Sequence, residues 1–231
     1  MKITAHYSGS DGNLYTIDNG TDKLLIECGV PFAKIIQAIN YRLSEYAGCL
    51  ISHEHKDHCK AVSDLIKMGC NCYMSEGTYE ALKKPMTLLI ENNSLIEIKS
   101  FKILPFSIQH DAKEPLGFLI RSGHEKLLYA TDTYYLRNRF SGLTHMMIEC
   151  NWSEKTLRED LHPARINRLR SSHMSLENLI EMLKSNDLRE VQEIWLLHMS
   201  KSNADSQFFK SEIEKETGKL VILTHGDESL G

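Results

Sequence analysis

Three histidines and one aspartate stand within the six residues His53-Glu54-His55-Lys56-Asp57-His58. Imidazole and carboxylate are the ligands that divalent transition metals prefer. Neighbours on one helical face lie three or four residues apart. This spacing therefore cannot put all four donors on one helix face, and it suits a loop that wraps around two adjacent ions. The apolar run Gly48-Cys49-Leu50-Ile51-Ser52 before it reads as a buried strand, and Ala61, Val62, Leu65, Ile66 and Met68 after it read as a helix. The donors fall at a strand-to-helix turn, where a rigid scaffold commonly presents chemistry.

Three later segments share one layout, an apolar strand followed by a metal-competent side chain. Phe101 to Ile108 runs into Gln109-His110-Asp111, Lys126 to Ala130 into Thr131-Asp132-Thr133, and Glu193 to Leu197 into His198-Met199-Ser200. Strand ends on one rim of a sheet can converge, so His110, Asp132 and His198 are natural completers of the His-rich loop. His6, His124, His145, His162 and His225 have no such motif around them.

The elements that must position these residues can be read in outline. Strands are expected at 3–7, 14–17 and 23–28, with Asn19-Gly20 as a hairpin turn. Pro31 opens a helix carrying Ile35, Ile36 and Ile39, a strand covers 48–52, and a helix covers 59–68. Ser75 caps a helix to Leu82, and strands follow at 86–90, 95–98, 101–108, 116–121, 126–130 and 145–150. A helix at 176–185 capped by Ser175, a strand at 193–197, a helix at 204–217 and a strand at 219–223 close the chain. Strands thus dominate two blocks, each with helices. The expected architecture is α/β, two sheets face to face with helices outside in four layers, α/β/β/α, and one domain over 1–231.

Bulk properties exclude some classes. No apolar run is long enough to span a bilayer, and Met1-Lys2-Ile3-Thr4-Ala5-His6 lacks a signal-peptide pattern, so the cytoplasm is the expected compartment. The six cysteines mostly lie in or beside apolar runs and read as free core thiols; Cys70-Asn71-Cys72 could be half of a zinc site, but it has no second Cys pair and alternation along a strand explains it as well. A net charge of −4 argues against a strongly cationic, non-specific nucleic-acid binder. Arg137, Arg139, Arg158, Arg165, Arg168 and Arg170 nevertheless crowd one stretch with few acids. A solvated helix face accounts for them, and a rim that contacts phosphates is the sharper alternative.

His53-Glu54-His55-Lys56-Asp57-His58 resembles the signature of the metallo-β-lactamase superfamily, and His110, Asp132 and His198 follow in the order of its later motifs. The resemblance implies the four-layer metallo-β-lactamase sandwich. It also implies that His53, His55 and His110 bind one metal, that Asp57, His58 and His198 bind a second, and that Asp132 bridges both. Gly9-Ser10-Asp11-Gly12-Asn13 is similar to the Gly-Ser-Ser-Gly-Asn opening of the YycJ/WalJ-type branch, whose members are described as DNA exonucleases. The segment His110 to Phe118 and Ser172-His173-Met174-Ser175 resemble elements of the same branch, the latter also the His-Ser-Thr of ribonuclease Z. Glu27 stands where the family usually has Asp, and Ser172 where Gly is usual. No insertion resembles the tRNA-clamping arm of ribonuclease Z.

Two close divalent ions can bring a shared water to a near-neutral pKa and clamp phosphate oxygens. The His-rich first site suits zinc, and the harder second site could accept manganese or iron. A hydroxide held between them would attack phosphorus in line, with Asp57 and Asp132 among the residues that shape the site. Loss of an alkoxide also needs a proton. His173, oriented by Glu149, is the candidate, since the resemblance to ribonuclease Z implies such a pair. Taken by residue alone, His173 is equally a residue before a helix cap, and Glu149 a strand-end charge. Ser200, Lys201 and Asn203 could donate to phosphate or simply cap a turn. The expected function is a binuclear metal-dependent phosphodiesterase, foremost a nuclease of DNA ends, with DNA favoured over RNA. The alternatives are a hydrolase of small cyclic or nucleotide phosphodiesters and a non-catalytic metal-binding adaptor of the same fold.

Overall fold

Apolar alternation and strong turn chemistry make the first 26 residues a meander of β1 (Lys2–Tyr7), β2 (Leu14–Asp18) and β3 (Lys23–Ile26), all antiparallel. At its Asn19-Gly20 turn the Asp18 and Asn19 side chains accept the backbone N–H groups of Gly20, Thr21 and Asp22, and Gly20 takes φ 87°. This computed structural model describes residues 1–157, 161–200 and 202–224. Arg158, Lys201 and His225, named above, lie outside the described residues, as does the side chain of Arg165. The chain divides into two compact units, Met1–Ser107 with Ala112–His124, and Ile108–Asp111 with Glu125–Thr224.

In the first unit, α1 (Phe32–Ala38) leads to β4 (Tyr46–Leu50), which pairs parallel to β3. Two short helices follow, α2 (Lys56–Cys59) and α3 (Val62–Lys67), and then β5 (Cys72–Met74), parallel to β4. Next come α4 (Glu76–Leu82), capped by Ser75 as expected, and β6 (Leu88–Leu89), which completes a six-stranded sheet in sequence order. Leu14, Leu25, Ile35, Ile51, Val62 and Leu65 pack in one core with five of the cysteines. The strands β7 (Ile96–Ile98), β8 (Phe101–Ser107) and β9 (Leu116–Ser122) run antiparallel to one another.

In the second unit, β10 (Glu125–Ala130) and β11 (His145–Glu149) pair in parallel. β12 (Glu193–Leu197) and β13 (Leu220–Leu223) extend the parallel order. All five residues of β11 are buried, the continuous pattern of a strand covered on both faces. The helices are α5 (Pro163–Ser172), α6 (Leu176–Ser185) and α7 (Ser206–Thr217). α6 turns Leu176, Leu179, Met182 and Leu183 inward, each worth about 1.5–3 kcal/mol of burial. Ser175 and Asp205 cap α6 and α7, and Gly218 closes α7 at φ 67°. No described helix is long and apolar enough to cross a membrane.

Three expectations need correction. The helix expected over 59–68 is broken into α2 and α3, because Cys28 intervenes: its N–H donates to the His58 carbonyl and its carbonyl accepts from Ala61 N–H. The strand expected to Cys28 stops at Ile26, as Glu27 turns to φ 62°. α5 was not foreseen as an element. It starts with His162 as N-cap and Pro163 in its first turn, but Ile166 and Leu169 are its apolar residues and both are only half-buried. The arginines divide accordingly. Arg168 and Arg170 belong to α5, where Arg170 pairs with Glu154, whereas Arg137 and Arg139 lie on an irregular exposed segment rather than a helix face. All six cysteines are free and buried, as expected.

Candidate metal centre

In the first unit the loop after β4 brings three imidazoles together. The His53 ring centroid lies 4.7 Å from that of His55, edge-on, and 4.2 Å from that of His58. Ser52 Oγ sits 2.9 Å from His53 Nδ1, which leaves Nε2 to face His55 Nδ1 at 3.1 Å. Asp57 Oδ2 is 3.5 Å from His58 Nε2. Histidines converge in this way against no apolar benefit, and the donor set fits a divalent cation. Lys56 points to solvent, while Glu54 accepts the backbone N–H of Lys113 at 2.8 Å and so tethers the loop.

The loop is held from behind by Gly9-Ser10-Asp11-Gly12-Asn13. The Asn13 backbone N–H donates to the Asp57 carbonyl at 2.8 Å, and its side-chain amide donates to the same oxygen at 3.1 Å. Asn13 Oδ1 accepts from Gly9 N–H and from the Tyr15 hydroxyl. This opening motif thereby gains a physical role, fixing the backbone from which Asp57 and His58 project. Glu27, fully buried, accepts from Ser52 N–H and places Oε1 3.4 Å from His58 Nδ1. A glutamate in this position reaches both ends of the loop.

Gly29 completes the cradle. A Cβ there would stand 1.6 Å from the Asp57 carbonyl oxygen and 2.7 Å from His58 N. Gly29→Ala is therefore expected to destabilise the protein by about 1–3 kcal/mol or more and to weaken metal binding, read by thermal melting and metal titration. A variant that melts and binds as the parent does would show that this contact does not set the loop.

The second unit gathers His110, Asp132, Glu149, His173 and His198. Asp132 stands two residues past the end of β10 and His198 directly follows β12, both at φ 50°. Asp132 Oδ2 lies 3.5 Å from His110 Nε2, and its Oδ1 lies 3.3 Å from His198 Nδ1. Burial, the main influence, lowers the pKa of His110 against the charges of Asp132, Glu149 and Asp111, favouring the neutral imidazole that binds metals. Glu149 ends β11 with no exposure. Its Oε2 accepts the backbone N–H groups of Thr133 at 2.9 Å and Met174 at 3.2 Å, and its Oε1 lies 2.7 Å from His173 Nδ1. It is thus no ordinary strand-end charge.

His173 is the C-cap of α5, and its ring stacks on that of His198 with centroids 5.4 Å apart. Trp152 Nε1 donates to its carbonyl. Burial is the largest influence on its pKa and pulls it down; the charge and hydrogen bond of Glu149, with Asp132, outweigh burial, and the net shift is upward. For Glu149 burial pushes up, but His173 and hydrogen bonds from His173 and His198 bring the carboxyl below its ordinary value. The pair is a hydrogen-bonded imidazole–carboxylate couple whose carboxylate is fully buried and whose ring is partly exposed. Donor atoms of Asp132, Glu149, His173 and His198 all lie within 4.8 Å of one another, a group that could itself hold an ion.

Sequence reasoning missed Asn151, whose amide donates to the His198 carbonyl at 2.7 Å and lies 3.3 Å from His198 Nδ1. Its only signal was a polar residue just past an apolar strand. Ser200 and Asn203 form a turn after His198, in which the Ser200 hydroxyl accepts from Asn203 N–H.

The family model described as "Beta-lactamase superfamily domain" matches residues 22–199. The chain is 28% identical over 223 residues to exodeoxyribonuclease WalJ of Streptococcus pneumoniae serotype 2, covering 88% of this chain and 83% of the relative. It is 27% identical over 215 residues to exodeoxyribonuclease YycJ of Bacillus anthracis, covering 85% and 81%. The crystal structure of the metallo-β-lactamase fold protein YhfI from Bacillus subtilis superposes with TM-score 0.75 over 97% of this chain and 96% of that one, at 16% identity. That likeness shows the fold, the α/β metallo-β-lactamase sandwich expected from the sequence.

Proposed function

This chain belongs to the β-lactamase superfamily, and on that premise we propose that it is a metal-dependent phosphodiesterase, a nuclease acting on DNA ends. One observation carries the choice of phosphodiesters among the substrates open to such a centre, namely the Glu149–His173 couple at 2.7 Å. Thiolates and lactam nitrogens in activated rings leave with little help, whereas the alkoxide of a nucleic-acid chain needs a proton. His173, whose pKa the Glu149 charge draws upward against burial and whose ring edge is partly open, is suited to give a proton to the leaving oxygen. Glu149 orients it through Nδ1, so Nε2 is the donating atom. The names of the two curated relatives support DNA as the substrate.

In this reading the order of the motifs would give His53, His55 and His110 to one ion, Asp57, His58 and His198 to a second, and Asp132 to both. When bound, the ions would activate a water and neutralise charge on the phosphate oxygens. These motifs are spread from residue 53 to residue 198, so the whole chain is proposed to act as one catalytic domain, with the cytoplasm as its compartment. Zinc suits the histidine-rich set, with manganese or iron accepted where carboxylates weigh more.

The test is metal analysis of the purified protein with a panel of end-labelled DNA, RNA and cyclic nucleotides. Stepwise loss of nucleotides from DNA, abolished by chelation and restored by a divalent ion, is expected. Turnover confined to cyclic nucleotides would move the function to small phosphodiesters. Metal binding without turnover of any phosphodiester would leave a binding protein.

A further inference from the structure

We propose that the segment Tyr135–Arg139 is a docking rim for single-stranded nucleic acid, with a base stacked on Tyr135 and phosphates held by Arg137 and Arg139. This rests on the reading of the protein as a nuclease and names the form of strand it takes. The segment begins three residues after Asp132, a chain length that spans at most about 10 Å, so what it holds lies beside the nucleotide under attack.

It is irregular yet firmly pinned. Thr133 donates its N–H to Glu149 and its hydroxyl to the Tyr135 carbonyl at 2.9 Å. Asn178 Nδ2 donates to the Tyr134 carbonyl at 3.0 Å, Leu136 is buried as an anchor, and Phe140 N–H donates to Asn186 Oδ1 at 2.7 Å. Between these anchors Tyr135 stands 39% exposed, and Arg137, Asn138 and Arg139 are exposed. A phenol ring held half out of the surface offers a stacking face to any base. Neither arginine has an ion pair with a described acid, in contrast to Arg170 with Glu154 and Arg189 with Asp187. Exposed guanidinium groups without a described acid partner, on a pre-ordered segment, fit phosphates without paying for loop ordering first. In a duplex the bases already stack on one another, so a lone aromatic face favours an unpaired strand.

The test measures binding apart from cleavage. Fluorescence anisotropy of a labelled oligothymidine with phosphorothioate linkages, bound to the metal-loaded protein, should show Tyr135→Ala weakening affinity about ten-fold or more and Tyr135→Phe restoring it. In Arg137→Ala/Arg139→Ala the slope of log affinity against log salt should flatten by about 1.4, two phosphates on a single strand. A blunt duplex of the same length should bind about ten-fold more weakly. Variants that bind like the parent, or a parent that does not bind the strand, overturn the inference. Binding that depends on this segment in a protein that cleaves no phosphodiester upholds it and sinks the nuclease reading alone.

Discussion

His173→Ala is expected to lower kcat on DNA by about 10²–10⁴ while lowering it less than about ten-fold on an aryl phosphodiester with a nitrophenolate leaving group. The contrast follows from what the imidazole would supply. A nitrophenolate departs without a proton, but a deoxyribose oxygen does not. The histidine's neighbours make the variant readable. Trp152 Nε1 bonds the backbone carbonyl at 173, and Met174 N–H bonds Glu149, so both contacts survive loss of the ring. Glu149→Gln keeps the shape but removes the charge that holds the imidazole pKa up, and should reproduce part of the same selective loss. Equal losses on both substrates would assign His173 to holding the site together and would remove it from the chemistry.

Asp132→Asn is expected to lower bound metal from about two ions per chain to about one or fewer, with affinity reduced by more than about 10². The two carboxylate oxygens serve different partners, Oδ2 toward His110 and Oδ1 toward His198, with Thr131 Oγ1 donating to Oδ1. An amide preserves that shape and offers one weak oxygen donor in place of two charged ones. Asparagine also tolerates the left-handed backbone at this position, so the circular dichroism spectrum should not change. Elemental analysis after dialysis reads the outcome. A variant with full metal content and full turnover would show that this carboxylate holds no ion.

Much of this was legible because the informative features are local. His53 to His58 announce their chemistry by spacing, and β11 and β12 stand out as continuous apolar runs. Ser75 and Ser175 cap their helices with a side chain that reaches only three residues ahead. What could not be read depends on partners distant in the chain. Asn13 contacts Asp57 across 44 residues, and Gly29 is glycine because that same carbonyl passes over it. The break between α2 and α3 comes from Cys28, about thirty residues upstream. The burial of Glu149 distinguishes a buried ion-pair partner from a surface charge, and no residue pattern records burial of a strand-end carboxylate. α5 escaped because its stability does not come from an apolar stripe.

Asp132 and His198 share a backbone setting, φ 50°, that side chains with a Cβ adopt reluctantly, at a cost of order 1–3 kcal/mol each. Glycine would relax both positions and delete both donors. Any search for thermostable versions of this protein that is blind to turnover will therefore be drawn to these two codons, and selection for heat resistance alone is a route to an inert enzyme.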